Sequence, residues 1–330
     1  MTKRPATIKD VAAAAGVSIA TVSKFINGQQ RFSPGVEARV TEAIATLGYR
    51  LNQQARSMVT GRTRTLGLAI LDVRNPHFAN IVKGANRVAL AHDYNLLVVD
   101  LEEQASHERH LLEALSGRVD GLIVSSRVPD EAISWLSDLG KPVIFFGNLQ
   151  REGVHCVRTD GHRAANMLGR HLVGSGRKKI AYLGFNKARW NAEREAGLRE
   201  AVAEAGLSLI THGVDWPTMD GGQQACASLL FGSERPDAVV AYNDLVAIGF
   251  MHEAQALGVK VPVEVAVAGF DDIPVARFMQ PALTTVNMRS EEQGEAAMTR
   301  LLAILSGKAE ASGDQLFEPR LVPRASTNRS

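Results

Sequence analysis

One stretch near the start of the chain, residues 7–27 (TIKDVAAAAGVSIATVSKFIN), restricts the possible folds more than any other. Its first half predicts a short helix, because apolar residues recur at three- and four-residue spacing: Val11, Ala12 and Ala15. Thr7 stands at the N-cap position, with Asp10 three residues on, in the capping-box position. Gly16 follows the last apolar position, where helices commonly end in a left-handed residue.

A second short helix is predicted after a tight turn. Ser18 is its expected N-cap, and the helix extends to Ile26 with an inner face formed by Val22, Phe25 and Ile26. On the same helical spacing, four residues point away from that inner face: Ile19, Ala20, Ser23 and Lys24. The helix therefore buries one side and presents the other.

A third helix supplies the surface that two short helices lack. Ser33 and Pro34 combine an N-cap with a proline at the first helical position, and Gly48 marks the end. Its apolar side carries Val36, Val40, Ala43, Ile44 and Leu47. Three helices with an exposed second helix form the helix-turn-helix unit that fits the major groove of DNA. An ordinary helical hairpin would show similar spacing, so the pattern alone leaves both interpretations open.

Basic residues are concentrated in the first fifth of the chain. Residues 1–64 contain ten Lys and Arg against three Asp and Glu, a net charge of +7, whereas the remainder contains 27 basic against 32 acidic residues. The whole-chain charge of +2 conceals this asymmetry. A basic segment on a mildly acidic body indicates that the first segment alone binds a polyanion.

The chain resembles the lactose/galactose repressor (LacI/GalR) family of bacterial transcription regulators in TIKDVAAAAGVSIATVSKFIN, LGYRLNQQARSM, GRTRTLGLAI and, near its end, PALTTV. The resemblance covers nearly the whole chain. It implies a helix-turn-helix DNA-binding domain over residues 1–50, a hinge helix or linker over 51–63, and an effector-binding and dimerisation core over 64–330. The expected fold is an N-terminal all-α head plus an α/β core like periplasmic binding proteins, with two doubly wound parallel-sheet lobes.

The residues after Thr65 independently indicate parallel sheets. Short apolar runs predict strands over 66–71, 96–101, 121–124, 143–146, 179–184, 238–241 and 265–269. Helices are predicted over 76–92, 131–139, 194–205, 221–230, 245–257 and 291–306, with another ending at Leu115. The alternation is typical of helices on both faces of two parallel sheets. The resemblance adds that the chain crosses between lobes, so that lobe 1 takes about 64–162 and 288–317, and lobe 2 takes 163–287 and 318–330.

The exposed face of the second helix is the predicted DNA-reading surface. Lys24, Ile19 and Ala20 are expected to contact base edges; the last two offer no hydrogen bonds, so they would contact groups such as thymine methyls. Phosphate contacts that set the register are assigned to polar and basic residues of the head: Thr7, Ser18, Thr21, Ser23, Asn27 and Arg31.

Residues 53–59 predict a short hinge helix capped by Asn52, which is marginal in water unless something packs on it. The resemblance implies that this helix orders in the minor groove, where a family leucine wedges between the central base pairs. Met58 occupies the leucine position, beside Ala55 and Arg56, and is apolar and flexible enough to act as a wedge. An ordinary linker is the alternative.

Polar residues follow several predicted strands, where ligands of open parallel sheets bind. Asp and Asn also commonly cap helices there, so the spacing alone leaves both roles open. The resemblance assigns effector contacts to Arg194, Asn243, Asp271, Asp160 and Trp216, and places His77 and Phe78 on the cleft wall. Trp216 in the core and His77 in a structural role are the alternatives. The set favours a sugar or sugar acid, with a nucleoside as the alternative.

Other functional classes find little support. The chain has no G-x-G-x-x-G after its first strand, no G-x-x-x-x-G-K-[ST], no G-x-S-x-G and no HExxH, so we predict neither an enzyme nor a cofactor. Cys156 and Cys226 lack metal-ligand spacing and are expected to be reduced. Reduced cysteines and the lack of a recognisable signal peptide or membrane span predict a cytoplasmic protein. They disfavour a secreted solute-binding protein. The C-terminal tail has no leucine heptad, so a tetramerising coiled coil is not expected.

These features predict a homodimeric repressor that binds a pseudo-palindromic operator and is switched by a small-molecule effector between the lobes.

Overall fold

The computed structural model describes residues 4, 6–26, 30–49, 61–147, 149, 154–308 and 314–328. The chain divides into two compact units, Met1–Thr63 (the head) and Arg64–Ser330 (the core). Asn27 and the predicted hinge residues Asn52, Ala55, Arg56 and Met58 lie outside the described residues.

The head contains the three predicted helices, α1 (Ile8–Ala15), α2 (Ile19–Ile26) and α3 (Pro34–Leu47). Their small core consists of Val11, Ala12, Ala15, Val22, Val40 and Ala43. The carboxylate of Asp10 accepts hydrogen bonds from the backbone N–H and hydroxyl of Thr7, both at 2.7 Å, and these bonds lower the pKa of Asp10. Ser18 Oγ accepts from Thr21 N at 3.1 Å. Local capping therefore defines where α1 and α2 begin.

The third helix has the predicted bounds, but two side chains at its ends differ from the prediction. Ser33 is at the N-cap position, but its side chain makes no capping hydrogen bond; the Glu37 carboxylate accepts instead from Phe32 N at 3.0 Å. Leu47, predicted to be inside, is 38% exposed, because it lies in the last turn beyond the small core.

Lobe 1 of the core is built on a six-stranded parallel sheet in the order β11-β5-β4-β3-β1-β2. Its strands are β1 (Thr65–Ile70), β2 (Asn95–Asp100), β3 (Leu122–Val124), β4 (Val143–Phe146), β5 (Val154–Thr159) and β11 (Gln315–Phe317). Helices α4 (Pro76–Ala91) and α5 (Ala105–Ser116) belong to this lobe. The helix predicted over 131–139 is instead two short 3₁₀ turns, Asp130–Ala132 and Ser134–Leu139, typical of connections too short for an α-helix.

Lobe 2 is built on the sheet β12-β10-β9-β8-β6-β7, parallel except for the β10–β12 pair. Its strands are β6 (Ile180–Gly184), β7 (Leu209–Gly213), β8 (Ala238–Ala241), β9 (Ala266–Phe270), β10 (Thr284–Asn287) and β12 (Arg320–Val322). Its helices are α6 (Gly161–Gly174), α7 (Asn191–Glu204), α8 (Met219–Leu230) and α9 (Asp244–Ala256).

The chain passes repeatedly between the two lobes. Helix α10 (Ser290–Leu305) follows a lobe 2 strand but packs in lobe 1, where Ala297, Met298 and Leu301 join the hydrophobic core. The next strand, β11, extends the lobe 1 sheet, and β12 then extends the lobe 2 sheet. At one crossing, the hydroxyl of Thr159 donates to Met288 O at 2.6 Å. The crossings set the two strand-end edges against each other.

Several helix pairs of the core touch backbone to backbone at glycine. A Cβ placed on Gly84 of α4 would lie 2.0 Å from Glu291 O of α10, and one on Gly197 of α7 would lie 2.1 Å from His162 O of α6. A Cβ on Gly249 of α9 would lie 1.8 Å from Met219 O of α8. These distances exclude any side chain, so the glycines set how closely the helices pack.

Within the residues that the structure describes, none of the helices has both the length and the apolar character needed to cross a membrane.

Candidate functional site

A cavity of about 860 Å³ lies between the two lobes of the core. Its wall comes from segments that follow strands: Arg127 after β3, Gly147 after β4, Lys187 after β6 and Trp216 after β7. Because these segments follow strands of two facing sheets, residues distant in sequence meet around one space, as expected for open α/β sheets.

Arg194, on α7, is fixed in the cavity wall by its surroundings. It is 1% exposed, and its guanidinium lies 4.9 Å from the ring centroid of Tyr242 and 4.4 Å from that of Phe270. Its Nη1 donates to the carbonyl of Tyr242, while Nε has no hydrogen-bond partner among the residues that the structure describes. Aromatic contact on the guanidinium favours a fixed orientation of its donors.

His77 and Asp271 meet across the lobes. His77 Nδ1 lies 2.8 Å from Ser290 Oγ and 3.4 Å from Asp271 Oδ1, and that same oxygen lies 4.0 Å from Arg194 Nη2. Burial lowers the pKa of His77, against the attraction of Asp271, and Arg194 and Arg127 lower it further. Burial raises the pKa of Asp271, whereas His77 and Arg194 oppose the rise. His77 is therefore neutral near pH 7.

Asp271 and the adjacent Asp272 adopt left-handed backbone conformations, with φ of +108° and +54°. Such conformations are uncommon for non-glycine residues and are found at ligand-binding and switch regions. They turn the chain sharply at the end of β9 and direct Asp271 to the His77 side.

Asn243 and Phe78 line a smaller space of about 20 Å³ that shares His77, Arg127 and Arg194 with the main cavity. Asn243 caps α9, accepting from Val246 N at 2.8 Å and donating to Pro217 O at 2.9 Å. Phe78 is buried edge-on against the His77 ring, with centroids 5.0 Å apart. Both residues hold the wall in position rather than face the larger space.

Trp216 and Asp160 differ from each other in placement. Trp216 is 47% exposed on the cavity wall, which argues against the core-packing alternative, and Lys187 Nζ lies 5.3 Å from its ring centroid. Asp160, expected to face the cleft, is not among the residues that line the cavity; it is the N-cap of α6 and accepts from Arg163 N at 2.8 Å. The side chain therefore has the helix-capping role common after strands.

Sequence reasoning did not single out three cavity arginines. Arg127 donates through Nε and Nη2 to the Glu103 carboxylate, with Nη2 to Oε1 at 2.9 Å. Arg189 of lobe 2 reaches lobe 1, where it donates to the carbonyls of Ser126 and Val128 and pairs with Asp130. Arg158 lies 3.5 Å from Glu193. Their positions at strand ends could have indicated a place in the cavity wall, because Arg127 follows β3 by three residues and Arg158 lies at the end of β5.

In the head, the outer face of α2 carries the predicted reading residues. Ile19 is 45% exposed, and Ser18, Ala20 and Lys24 are exposed, whereas Thr21 and Ser23 are half-buried. Of the remaining predicted contacts, Thr7 is half-buried and Arg31 exposed. Lys24 Nζ donates to Gln30 Oε1 at 3.3 Å. An exposed isoleucine at the start of a short helix is available for contact with an apolar group.

Comparison with known proteins assigns the family. Residues 7–52 match the family described as bacterial regulatory proteins, lacI family, and residues 170–327 match the periplasmic binding protein-like domain. The regulator GalS of Salmonella typhimurium is 33% identical over 97% of this chain and 96% of its own length. GalR of Escherichia coli is 34% identical over 98% and 96%. The chain belongs to the lacI family of bacterial regulatory proteins.

Solved structures agree with this lacI-family assignment. The lac repressor dimer bound to operator and the anti-inducer ONPF has a TM-score of 0.87 at 25% identity, covering 98% of this chain and 99% of that chain. The CelR–cellobiose complex has a TM-score of 0.73 at 29% identity, covering 97% and 99%. The predicted fold, a helix-turn-helix head and a two-lobed α/β core, is confirmed. The protein is a DNA-binding transcription regulator rather than an enzyme.

Proposed function

We propose that this protein is a homodimeric repressor that binds a pseudo-palindromic operator and is switched by a sugar or sugar acid in the interlobe cavity. The observation that carries the effector proposal is the placement of buried Arg194 and exposed Trp216 on the wall of one cavity. An arginine fork pairs with neighbouring oxygens, and an aromatic face packs on the apolar side of a sugar ring. The structural relative CelR is described in complex with cellobiose, and another lacI-family regulator with bound ribose.

DNA recognition is assigned to the outer face of α2. Ile19 and Ala20 would contact thymine methyls, and Lys24 would donate to base acceptors. Ser18, Thr21 and Ser23 lie on or beside this face and would hold phosphates. The proposed minor-groove contacts are the hinge residues Asn52, Ala55, Arg56 and Met58.

An apolar edge of lobe 1 supports the homodimer proposal. The edge strand β2 exposes Leu97 and Val98, and Leu90, near the end of α4, is exposed as well. A row of apolar side chains on a sheet edge favours association with another chain. A two-fold dimer would present two heads to two half-sites, so the operator would share that symmetry.

Effector binding would act on DNA affinity through the angle between the lobes. The segments that enter lobe 1 from the hinge would change their separation, and with it the ability of the hinges to order on DNA. Such coupling between sites is typically about 1–3 kcal/mol.

The DNA proposal is tested by the salt dependence of binding to a duplex selected from a random library by the full-length protein. Phosphate contacts predict that affinity falls steeply as salt increases, because each neutralised phosphate releases counterions. A flat response would contradict the proposal. Met58→Gly should weaken binding to the selected duplex more than binding to unrelated duplex, and equal losses would refute the wedge.

The effector proposal is tested by thermal unfolding of the full-length protein with sugars, sugar acids and nucleosides. A compound that stabilises the core and changes the affinity for the selected duplex is an effector. A response to nucleosides alone would favour the alternative, for which PurR of Erwinia tasmaniensis, 32% identical over 97% of this chain, provides a relative.

A further inference from the structure

Among the residues that the structure describes, two buried arginines of the cavity wall each have an N–H group without an acceptor. Arg194 is 1% exposed and Arg127 is 8% exposed. Within the described part of the chain, Arg194 Nε and Arg127 Nη1 have no hydrogen-bond partner, and both residues line the cavity. A buried donor left unpaired is costly, more so in a charged group, so a ligand that supplies acceptors there is favoured.

The positive charge of Arg194 is incompletely balanced by the protein. Its Nη1 partner is the carbonyl of Tyr242, which is neutral. The nearest carboxylate oxygen, Asp271 Oδ1, is 4.0 Å away and also lies 3.4 Å from His77. A carbonyl dipole and a distant, shared carboxylate do not replace a close ion pair in a buried site.

Arg127 faces the same region from the opposite lobe. Its Nε and Nη2 donate to Glu103, and the side chain of Tyr242 also interacts with the guanidinium. Among the described residues, Nη1 has no hydrogen-bond partner of normal geometry, and the guanidinium lies 5.3 Å from the ring centroid of Phe185. The Glu108 carboxylate accepts from Arg127 N at 2.7 Å and fixes the backbone at this residue. Arg127 is therefore held in position before any ligand binds.

Three more cations line the cavity: Arg158, Lys187 and Arg189. Arg158 and Arg189 are paired with Glu193 and Asp130, and Lys187 lies above Trp216. Together with Arg127 and Arg194 they face four carboxylates on the same wall, Glu103, Asp130, Glu131 and Glu193. The wall therefore has an excess of positive charge and fixed guanidinium donors, which can bind carboxylate or phosphate oxygens.

Building on the effector site proposed above, we propose that the effector is anionic and that its carboxylate or phosphate is bound jointly by Arg127 and Arg194. The first arginine belongs to lobe 1 and the second to lobe 2, so the anionic group connects the two lobes directly. Glu103 already balances the charge of Arg127, whereas Arg194 has only the Asp271 oxygen at 4.0 Å, so an anionic group would balance Arg194 in a way that a neutral sugar cannot.

The test uses the full-length protein and matched probes at equal ionic strength, adjusted with sodium chloride. The anionic probes are D-gluconate, D-galactonate, glucose 6-phosphate and inorganic phosphate, and the neutral probes are D-glucose and D-galactose. At least one anionic probe should raise the Tm, whereas its neutral parent should raise it less. Comparison of the Tm shifts caused by the two sugar acids with those caused by the two phosphates distinguishes carboxylate from phosphate recognition. Equal or larger shifts with neutral sugars, or no shift with any anion, would overturn the proposal.

Variants connect the effect to the two arginines. Arg127→Gln and Arg194→Gln should each lower the affinity for the anionic probe by about tenfold or more, because each removes a charge-assisted hydrogen bond. Arg127→Lys keeps the charge but loses the planar guanidinium, so it should show a smaller loss of affinity. It replaces Arg127→Gln in the test if that variant is unstable. Arg170→Gln is the matched control, because Arg170 is an exposed arginine of α6 paired with Glu204. Unchanged anion affinity in the cavity variants would refute the assignment.

The same protein samples are titrated with the selected duplex. If the wild-type protein selects no duplex from the random library, the operator-binding proposal fails. If it binds duplex and a neutral sugar releases it better than every anion, only the anionic effector is refuted.

Discussion

The head and the interlobe cavity present their functional side chains in opposite ways. On α2, Ile19 and Lys24 are exposed, on a helix whose start is defined by the Ser18 cap. In the cavity, Arg127 and Arg194 are buried and fixed by rings, carbonyls and a carboxylate. A surface that binds a highly charged polymer can do so with solvent-exposed side chains, whereas a site for a small ligand gains affinity when its donors are fixed in position before binding.

The same contrast extends to the backbone. In the head, a Cβ added to Gly16, Gly35 or Gly48 would meet no atom within 4 Å, and the first and last of these glycines end helices with φ of +65° and +58°. In the core, Gly84, Gly197 and Gly249 touch the backbone of a neighbouring helix. Glycine thus serves helix ends in the head, whereas in the core it serves close packing as well as helix ends, such as Gly206 and Gly258 with φ of +72° and +77°.

Substitution of a packed glycine should give the largest effect. Gly197→Ala places a Cβ 2.1 Å from His162 O, so α6 and α7 must separate, at a cost of about 3 kcal/mol in the free energy of unfolding. Urea denaturation of the full-length protein measures the change in its core transition. Gly174→Ala, in α6 with open space around it, is the control and should leave stability unchanged or slightly higher. Equal effects of the two variants would remove the contrast between packed and open glycines.

Removal of the cavity arginine should separate effector response from DNA binding. Arg194→Ala should lower the affinity for the effector by about 100-fold, because buried charge-assisted hydrogen bonds are lost. The affinity for the selected duplex in the absence of effector should be retained. Titration of the protein–duplex complex with effector measures both quantities. A variant that responds normally would show that the cavity assignment is wrong.

Acidification should destabilise the core through His77. The pKa of His77 is lowered by burial in the folded state, so its stabilising contribution is complete above about pH 6.5 and is lost as the pH falls towards the folded-state pKa. The expected slope in that window is at most about 1.4 kcal/mol per pH unit. His77→Gln should flatten the pH dependence of unfolding, whereas His107→Gln, at an exposed position of α5, is the control. An unchanged slope in His77→Gln would contradict the buried neutral imidazole.

Loss of the α2 cap should have the smallest effect. Ser18→Ala removes the oxygen that accepts from Thr21 N, and should cost the head about 1 kcal/mol, while Ser18→Gly should cost only a few tenths. Amide hydrogen exchange over residues 19–26 in the full-length protein measures the change. If both variants exchange like the wild type, local capping does not define this helix.

Prediction from sequence succeeded where local chemistry determines structure. The starts of α1 and α2, the left-handed Gly16, the helix end at Gly48 and the strands with continuous apolar runs were all visible in the residues. Five strands had no separate prediction: β5, β7, β10, β11 and β12. The first two mix polar with apolar residues, as in VHCVRT and LITHG, and therefore lack the apolar run that marked the others.

The sequence by itself determined the basic head, its three helices and the alternation that makes two parallel sheets, because capping, periodicity and charge act over a few neighbouring residues. Only the tertiary structure decided which polar side chains share the cavity. It placed Asp160 at a helix cap, and brought Arg127 and Arg194 to one wall although they are far apart in the chain. The physical reason is that burial and pairing depend on which strand ends face each other, and this follows from the chain crossing between lobes rather than from local sequence.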